Sequence, residues 1–199
     1  MEYQARQFAA VQQQLFDNIV RDLSGTPDYD GDVKAEFDRL VLLLVKFLTD
    51  RIDGESKRFP YLKRFSNRPD APKEQALQDD LHNYLLSVLA ADVEKADISS
   101  GRVVIYIPRI KCRLITELKR IFKWTDDELR PFLLQAIAYG QTDIRLGVLG
   151  VLDLSDRLPG VPHIDECFEV VKRKVDGEVD RTALMMRVPG NVRTPSNSK

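Results

Sequence analysis

Cysteine is scarce in this chain. Two occur in 199 residues, Cys112 and Cys167, and no C-x-x-C spacing links them. A zinc site or a disulfide frame needs more thiols at set spacings, so reduced, packed thiols are expected. Long apolar runs are also missing. The longest, Leu40 to Val45, is far too short to span a bilayer, which leaves no membrane partner to expect. The opening residues, Met-Glu-Tyr-Gln-Ala-Arg-Gln, lack the basic-then-apolar pattern of a secretory signal, and a cytoplasmic setting is expected. Charge of one sign is not in excess: the formal net charge is −1, so global charge names no partner. There is no internal repeat, no Gly-rich phosphate loop and no G-x-S-x-G turn. His82 reads as a surface or helix-packing residue, and His163, beside Pro162, carries little information.

What is present is the composition of an ordinary soluble globule, with 43% apolar and 31% charged residues. The length suits one domain, or a domain with a helical appendage. Apolar beats at Phe8, Val11, Leu15, Ile19 and Leu23 predict an amphipathic helix over 2–23, ended by Ser24-Gly25-Thr26-Pro27. A second helix over 33–52 carries Phe37, Leu40, Leu44, Phe47 and Leu48 on one side. The two predict an N-terminal hairpin or cap over 1–53, with an apolar seam able to dock a partner or a second copy. Residues 54–71 read as a linker. It is basic (Lys57, Arg58, Lys63, Arg64, Arg68) and interleaved with Phe59, Tyr61 and Phe65. That mix suits either a solvated connector pinned by its aromatics or a surface for phosphates and bases.

Residues 72–199 predict one α/β unit. A helix over 72–89, capped by Asp70, leads to a strand pair over 103–107 and 113–118 with a turn at Pro108-Arg109. Thr125-Asp-Asp-Glu128 has the pattern of a capping box for a helix reaching Tyr139. Pro131 then implies a short first turn, a kink or a start near Arg130. Ile144–Leu152 reads as a strand buried on both faces. Asp153–Pro162 reads as a loop, and 168–171 and 183–188 as two more strands around Asp176-Gly177. The tail from Pro189 is expected to be irregular. Trp124 reads as a core-edge residue.

The stretch 101–119 organises the rest. Glu117 and Lys119 lie two apart on a strand and so share a face. Between Arg102 and Lys123 the cations are Arg102, Arg109, Lys111, Arg113, Lys119, Arg120 and Lys123, with Glu117 the one acid. This suits a basic face or an ordinary exposed hairpin.

Four pieces of the sequence together resemble the PD-(D/E)XK nuclease superfamily. They are Glu74 with Gln78 on the preceding helix, Gly101-Arg102-Val103-Val104-Ile105, Glu117-Leu118-Lys119 followed by Arg120, and Gln135-Ala-Ile-Ala-Tyr139. The run Arg145–Asp153 and Val188-Pro-Gly-Asn191 are similar to a bacterial subgroup of that fold. The resemblance covers roughly 72–196 and implies a restriction-endonuclease-like core, a mixed sheet flanked by helices. It implies phosphodiester hydrolysis of DNA with Mg²⁺ or Mn²⁺, in a defence system against foreign DNA. Glu74 and Glu117 would hold the metal and Lys119 would position or activate water. Gln135, Tyr139, Arg102 and Arg120 would bind substrate. The resemblance leaves the N-terminal helices unexplained; their apolar seam is where a second copy or a larger defence complex would join. The sequence departs from the family at Val104, where a metal-binding Asp is usual. Three readings follow: a nuclease fold that binds nucleic acid or a protein partner without cleavage, a site rebuilt from Asp97 or Glu94, or an inactivating substitution.

Overall fold

The computed structural model describes residues 10–53, 58–89, 94–98, 102–108, 113–139, 146–156, 160–173 and 181–192. The chain is a mixed α/β protein. Among the described residues the helices are α1 (Ala10–Leu23), α2 (Gly31–Ile52), α3 (Glu74–Leu89) and α4 (Asp126–Tyr139). Its strands are β1 (Glu94–Ile98), β2 (Arg102–Pro108), β3 (Arg113–Ile121), β4 (Leu146–Asp153), β5 (Phe168–Arg173) and β6 (Arg181–Pro189). They form one sheet in the order β1-β2-β3-β4-β6-β5. The first three strands are antiparallel, β4 runs parallel to β3 with α4 as the connection, β6 is parallel to β4, and β5 antiparallel to β6.

Alternation along the strands sorts the core into two layers. Leu114 and Leu118 of β3, Val148 and Leu152 of β4, and Leu184, Met186 and Val188 of β6 face a cluster that includes residues of α1, α2 and α3. Ile121, Leu149, Val151, Val171 and Met185 face α4 through Leu129, Leu133 and Ala136. Every residue of β4 is buried, as a strand covered on both faces requires. The N-terminal helices share the first cluster: Leu15, Ile19 and Leu23 of their seam are buried in it, while Val11 remains half exposed.

Several local expectations need correction. Strand β1 was not expected; Glu-Lys-Ala-Asp-Ile is short and charged because it is an edge strand, paired on one side only. Asp70 does not cap α3. It lies in a 3₁₀ turn over Arg68–Asp70, and the helix starts later, at Glu74. Helix α4 runs unbroken through Pro131. The missing amide there falls on an exposed stretch, where water can serve the freed carbonyl. Thr125 caps α4 by accepting from the Glu128 amide at 3.4 Å, but the Glu128 carboxylate accepts from the Lys123 amide, at 3.3 Å, rather than from Thr125. Asp153 ends β4 rather than opening a loop. Residues 189–191 are buried, and the Val192 amide donates to the Leu62 carbonyl at 3.0 Å, so the start of the tail is tied to the connector. The turn expected at Pro108-Arg109, the Asp176-Gly177 turn, Cys112 and residues 193–199 lie wholly or partly outside the described residues.

Candidate active site

Strand β3 leaves its neighbour before it ends. Its ladder with β2 stops at Val104 opposite Glu117, while its ladder with β4 continues to Ile121 opposite Asp153. Past Glu117, β3 therefore has a side open to another element. Helix α3 fills it. The Arg120 amide donates to the Glu74 carboxylate at 3.2 Å, and the Arg120 guanidinium donates to the Pro72 carbonyl at 2.7 Å. A side chain from the first turn of α3 thus satisfies a strand edge that would otherwise want a ladder partner.

That contact brings three sequence-distant groups together. The Lys119 ammonium lies 2.7 Å from one Glu117 oxygen and 3.9 Å from one Glu74 oxygen. Glu117 is fully buried and Lys119 nearly so. Burial raises the Glu74 carboxyl above its ordinary value. The nearby Lys119 charge and the Arg120 amide pull it back, and the Glu117 charge adds to the rise. Lys119 also lies 5.8 Å from the Phe132 ring of α4. Gln135 follows Phe132 by one turn on the same helix and is half-buried, so it lies along the side of α4 that meets this site. Helix α4 sits close because β4 has Gly147 beneath it, where a Cβ would come within 3.2 Å of the Ala136 carbonyl.

The remaining expected positions are fixed by backbone alone. Val104 is the direct register partner of Glu117. Asp97 pairs with Val103, so its register position belongs to the other face; a site rebuilt from Asp97 is not supported. Glu94 pairs with Tyr106 and shares the parity of Val104, but from the edge strand, one strand further from Glu117. Arg102 lies at the start of β2 and Tyr139 at the last position of α4; their side chains are outside the description.

As a donor set, Glu74 and Glu117 supply hard carboxylate oxygens, the type Mg²⁺ takes, usually one or two per ion with water completing the shell. Among the described residues, no cluster of three or more His, Cys, Asp or Glu occurs that could hold a metal ion by itself.

Sequence reasoning missed Phe132 beside Lys119, and it missed a second buried pair on the same face. The Asp153 carboxylate accepts from Arg187 Nε at 2.8 Å and Nη2 at 2.7 Å, with the Arg187 guanidinium 4.2 Å from the Trp124 ring. The one signal was an acid ending an otherwise apolar run and an arginine inside another. Comparison with family models, with characterised proteins and with solved structures gave no match. Among the described residues, no helix is long and apolar enough to cross a membrane.

Proposed function

We propose that the chain is a metal-dependent DNA nuclease domain of the restriction-endonuclease-like type, with Glu74, Glu117 and Lys119 at its centre. The observation that carries the reading is the meeting of these three side chains at the point where β3 leaves β2. The order helix, three antiparallel strands, helix, parallel strand over α3 to β4 agrees with that fold. Defence against foreign DNA in the cytoplasm is the setting the resemblance suggests.

A divalent cation held by Glu74 and Glu117 would supply Lewis acidity at the phosphate and a water made nucleophilic near neutral pH. The chain's own residues do the rest. Glu117 is fully buried, which fixes its carboxylate on the β3 scaffold. Lys119, held between two carboxylates, places a positive charge and three donors where an attacking water or a phosphate oxygen would sit. Gln135, and Tyr139 one turn on, would contact the substrate from α4, and Arg102 from the sheet, while the Arg120 guanidinium is held by the Pro72 carbonyl. The test is cleavage of supercoiled and linear DNA with Mg²⁺ or Mn²⁺. Glu117→Ala and Lys119→Ala should each lower it at least about 100-fold, the scale of losing a positioned catalytic group. Cutting that persists in both variants, or in EDTA, would overturn the assignment.

A second reading rests on Val104. Opposite Glu117 the sheet carries an apolar residue, and Glu117 pairs with Lys119 instead. On that reading the fold binds DNA without cutting it. It predicts salt-sensitive DNA binding, no cleavage by the natural chain, and metal-dependent cleavage gained by Val104→Asp.

A further inference from the structure

The connector before α3 packs beside the end of β3 and builds a second feature there. Its apolar residues point inward: Phe59 and Leu62 are buried and Tyr61 is half-buried. Its cations do not. Lys63, Arg64 and Arg68 are exposed, and so is Lys123 across the gap. Between them lies an open pocket of about 450 Å³ lined by Arg64, Phe65, Arg68, Phe122 and Lys123, with Ser66, Glu128, Leu154, Asp156 and Asn191 completing the wall. Two rings shape it. Phe65 meets Phe122 edge-on, with centroids 6.3 Å apart and planes at 90°. The Arg68 guanidinium rests 4.3 Å from the Phe122 centroid, and that of Arg120 lies 5.3 Å from the same ring.

We propose that this pocket, at the end of β3, holds one nucleotide of an unpaired DNA strand. The proposal rests on the DNA reading above and names the form of DNA that reading leaves open. The Phe65 ring and the Arg68 guanidinium plane, itself laid over Phe122, offer stacking surfaces for a base, and a base can use them only when it is out of a duplex. The volume suits a single nucleotide-sized ligand. Arg64 and Lys123 line the pocket and are exposed, and either can meet a phosphate flanking that base. Of the two acids in the wall, Glu128 is engaged by the Lys123 amide. Phe122 follows Lys119 by three residues, an odd step along the strand, and its ring packs with the α1–α3 layer, so the pocket lies on the other side of the end of β3 from the Glu117–Lys119 pair.

The test is fluorescence anisotropy with a labelled oligothymidylate and a duplex of equal length, in EDTA, over a salt series. EDTA keeps binding separate from cleavage. Wild-type protein should prefer the single strand. Arg64→Ala with Lys123→Ala should weaken single-strand binding about tenfold or more at low salt and flatten the log–log salt slope by about 1.4, two phosphate contacts at ~0.7 each. Phe65→Leu, which keeps an apolar side chain against Phe122, should weaken it about tenfold with the salt slope unchanged, the scale of one lost stacking contact. Thermal melts of each variant that match wild type exclude misfolding as the cause. Duplex preferred over single strand, or single-strand binding indifferent to all three substitutions, would overturn the proposal. Glu117- and Lys119-dependent cleavage alongside indifferent binding would sink the pocket alone. Binding that follows the three substitutions without any cleavage would sink the nuclease reading and leave the pocket standing.

Discussion

Helix α3 carries two acids that meet partners from other elements, and the two meetings are opposite in kind. At Asp80 everything is matched. Arg51 of α2 donates to it from Nε at 3.0 Å and from Nη2 at 2.7 Å, and the Tyr61 hydroxyl donates at 2.6 Å. The Arg51 guanidinium lies 3.8, 4.7 and 5.1 Å from the rings of Phe47, Phe59 and Tyr84. The buried guanidinium meets Asp80 bidentately inside an aromatic cage, with the exposed Asp50 carboxylate 3.9 Å away, and the cluster clamps α2, the connector and α3 together. Two turns earlier, at Glu74, two carboxylates share one ammonium at unequal distances of 2.7 and 3.9 Å. The Arg120 guanidinium, next in sequence, is engaged by the Pro72 carbonyl. Buried charge is tolerated in folding only when paired. The Arg120 charge still acts on Glu74, so neither sign is in excess, yet two carboxylates brought this close, one of them fully buried, are where an added cation, or an anionic substrate held through that cation, would change most.

The largest difference should appear in stability. Arg51→Met removes the guanidinium and leaves Asp80 with its phenol alone, so it should cost about 3 kcal/mol in urea unfolding, the scale of breaking one side of a buried pair. Glu117→Gln removes charge from the crowded cluster, leaves Lys119 with Glu74, and should cost about 1 kcal/mol or less, as for one altered hydrogen bond. It should still abolish cleavage. If Glu117→Gln destabilised as much as Arg51→Met, the two clusters would be equivalent and the functional reading of Glu74 would lose its basis.

The sequence showed one of these clusters and hid the other. Glu117 and Lys119 were legible because their relation is local: two residues apart on a strand, with a recognisable run on either side. Glu74 could be placed only through resemblance, since no spacing rule links it to a strand more than 40 residues on. Arg51 and Asp80 gave no signal at all, because a bidentate pair between two helices depends on how those helices cross. The strands rich in Val, Ile and Leu were read by their apolar runs, whereas β1 escaped because an edge strand has no need of them. The connector was read in two ways, and the structure uses both halves of its composition differently. Phe59 and Tyr61 face the Arg51 cluster, while Arg64 and Arg68 stay at the surface.

A smaller effect separates the clusters by one hydroxyl. Tyr61 donates to Asp80, and burial together with the Asp80 charge raises its phenol above the ordinary value, so it remains a donor throughout the usable pH range. Tyr61→Phe keeps the ring and removes the donor, and should cost about 1 kcal/mol, the net worth of one such bond, visible as a lower urea midpoint with an unchanged slope. DNA binding and cleavage should be unaffected. A change in either would mean that the matched cluster also sets the geometry of the unmatched one through α3.

The smallest effect is the most specific to Glu74. Its folded-state carboxyl is raised above the ordinary 4.5, chiefly by burial. Near and below that ordinary value the native chain holds this proton at least as well as the unfolded chain does. As pH rises from there toward the raised value, the unfolded chain gives up the proton first, so stability falls across that window and levels off above it. Glu74→Gln has no such step. Wild-type stability relative to Glu74→Gln should therefore be greatest near pH 4 and decline to a plateau by neutral pH, followed through urea midpoints from pH 4 to 8. A difference that is flat, or that grows with pH, would show that the Lys119 charge and the Arg120 amide outweigh burial at this site. Adding Mg²⁺ sharpens the comparison, because an ion that binds the two ionised carboxylates stabilises only the folded chain. Mg²⁺ should restore the stability lost above the window in wild type, and should leave Glu74→Gln and the Asp80 cluster as they were.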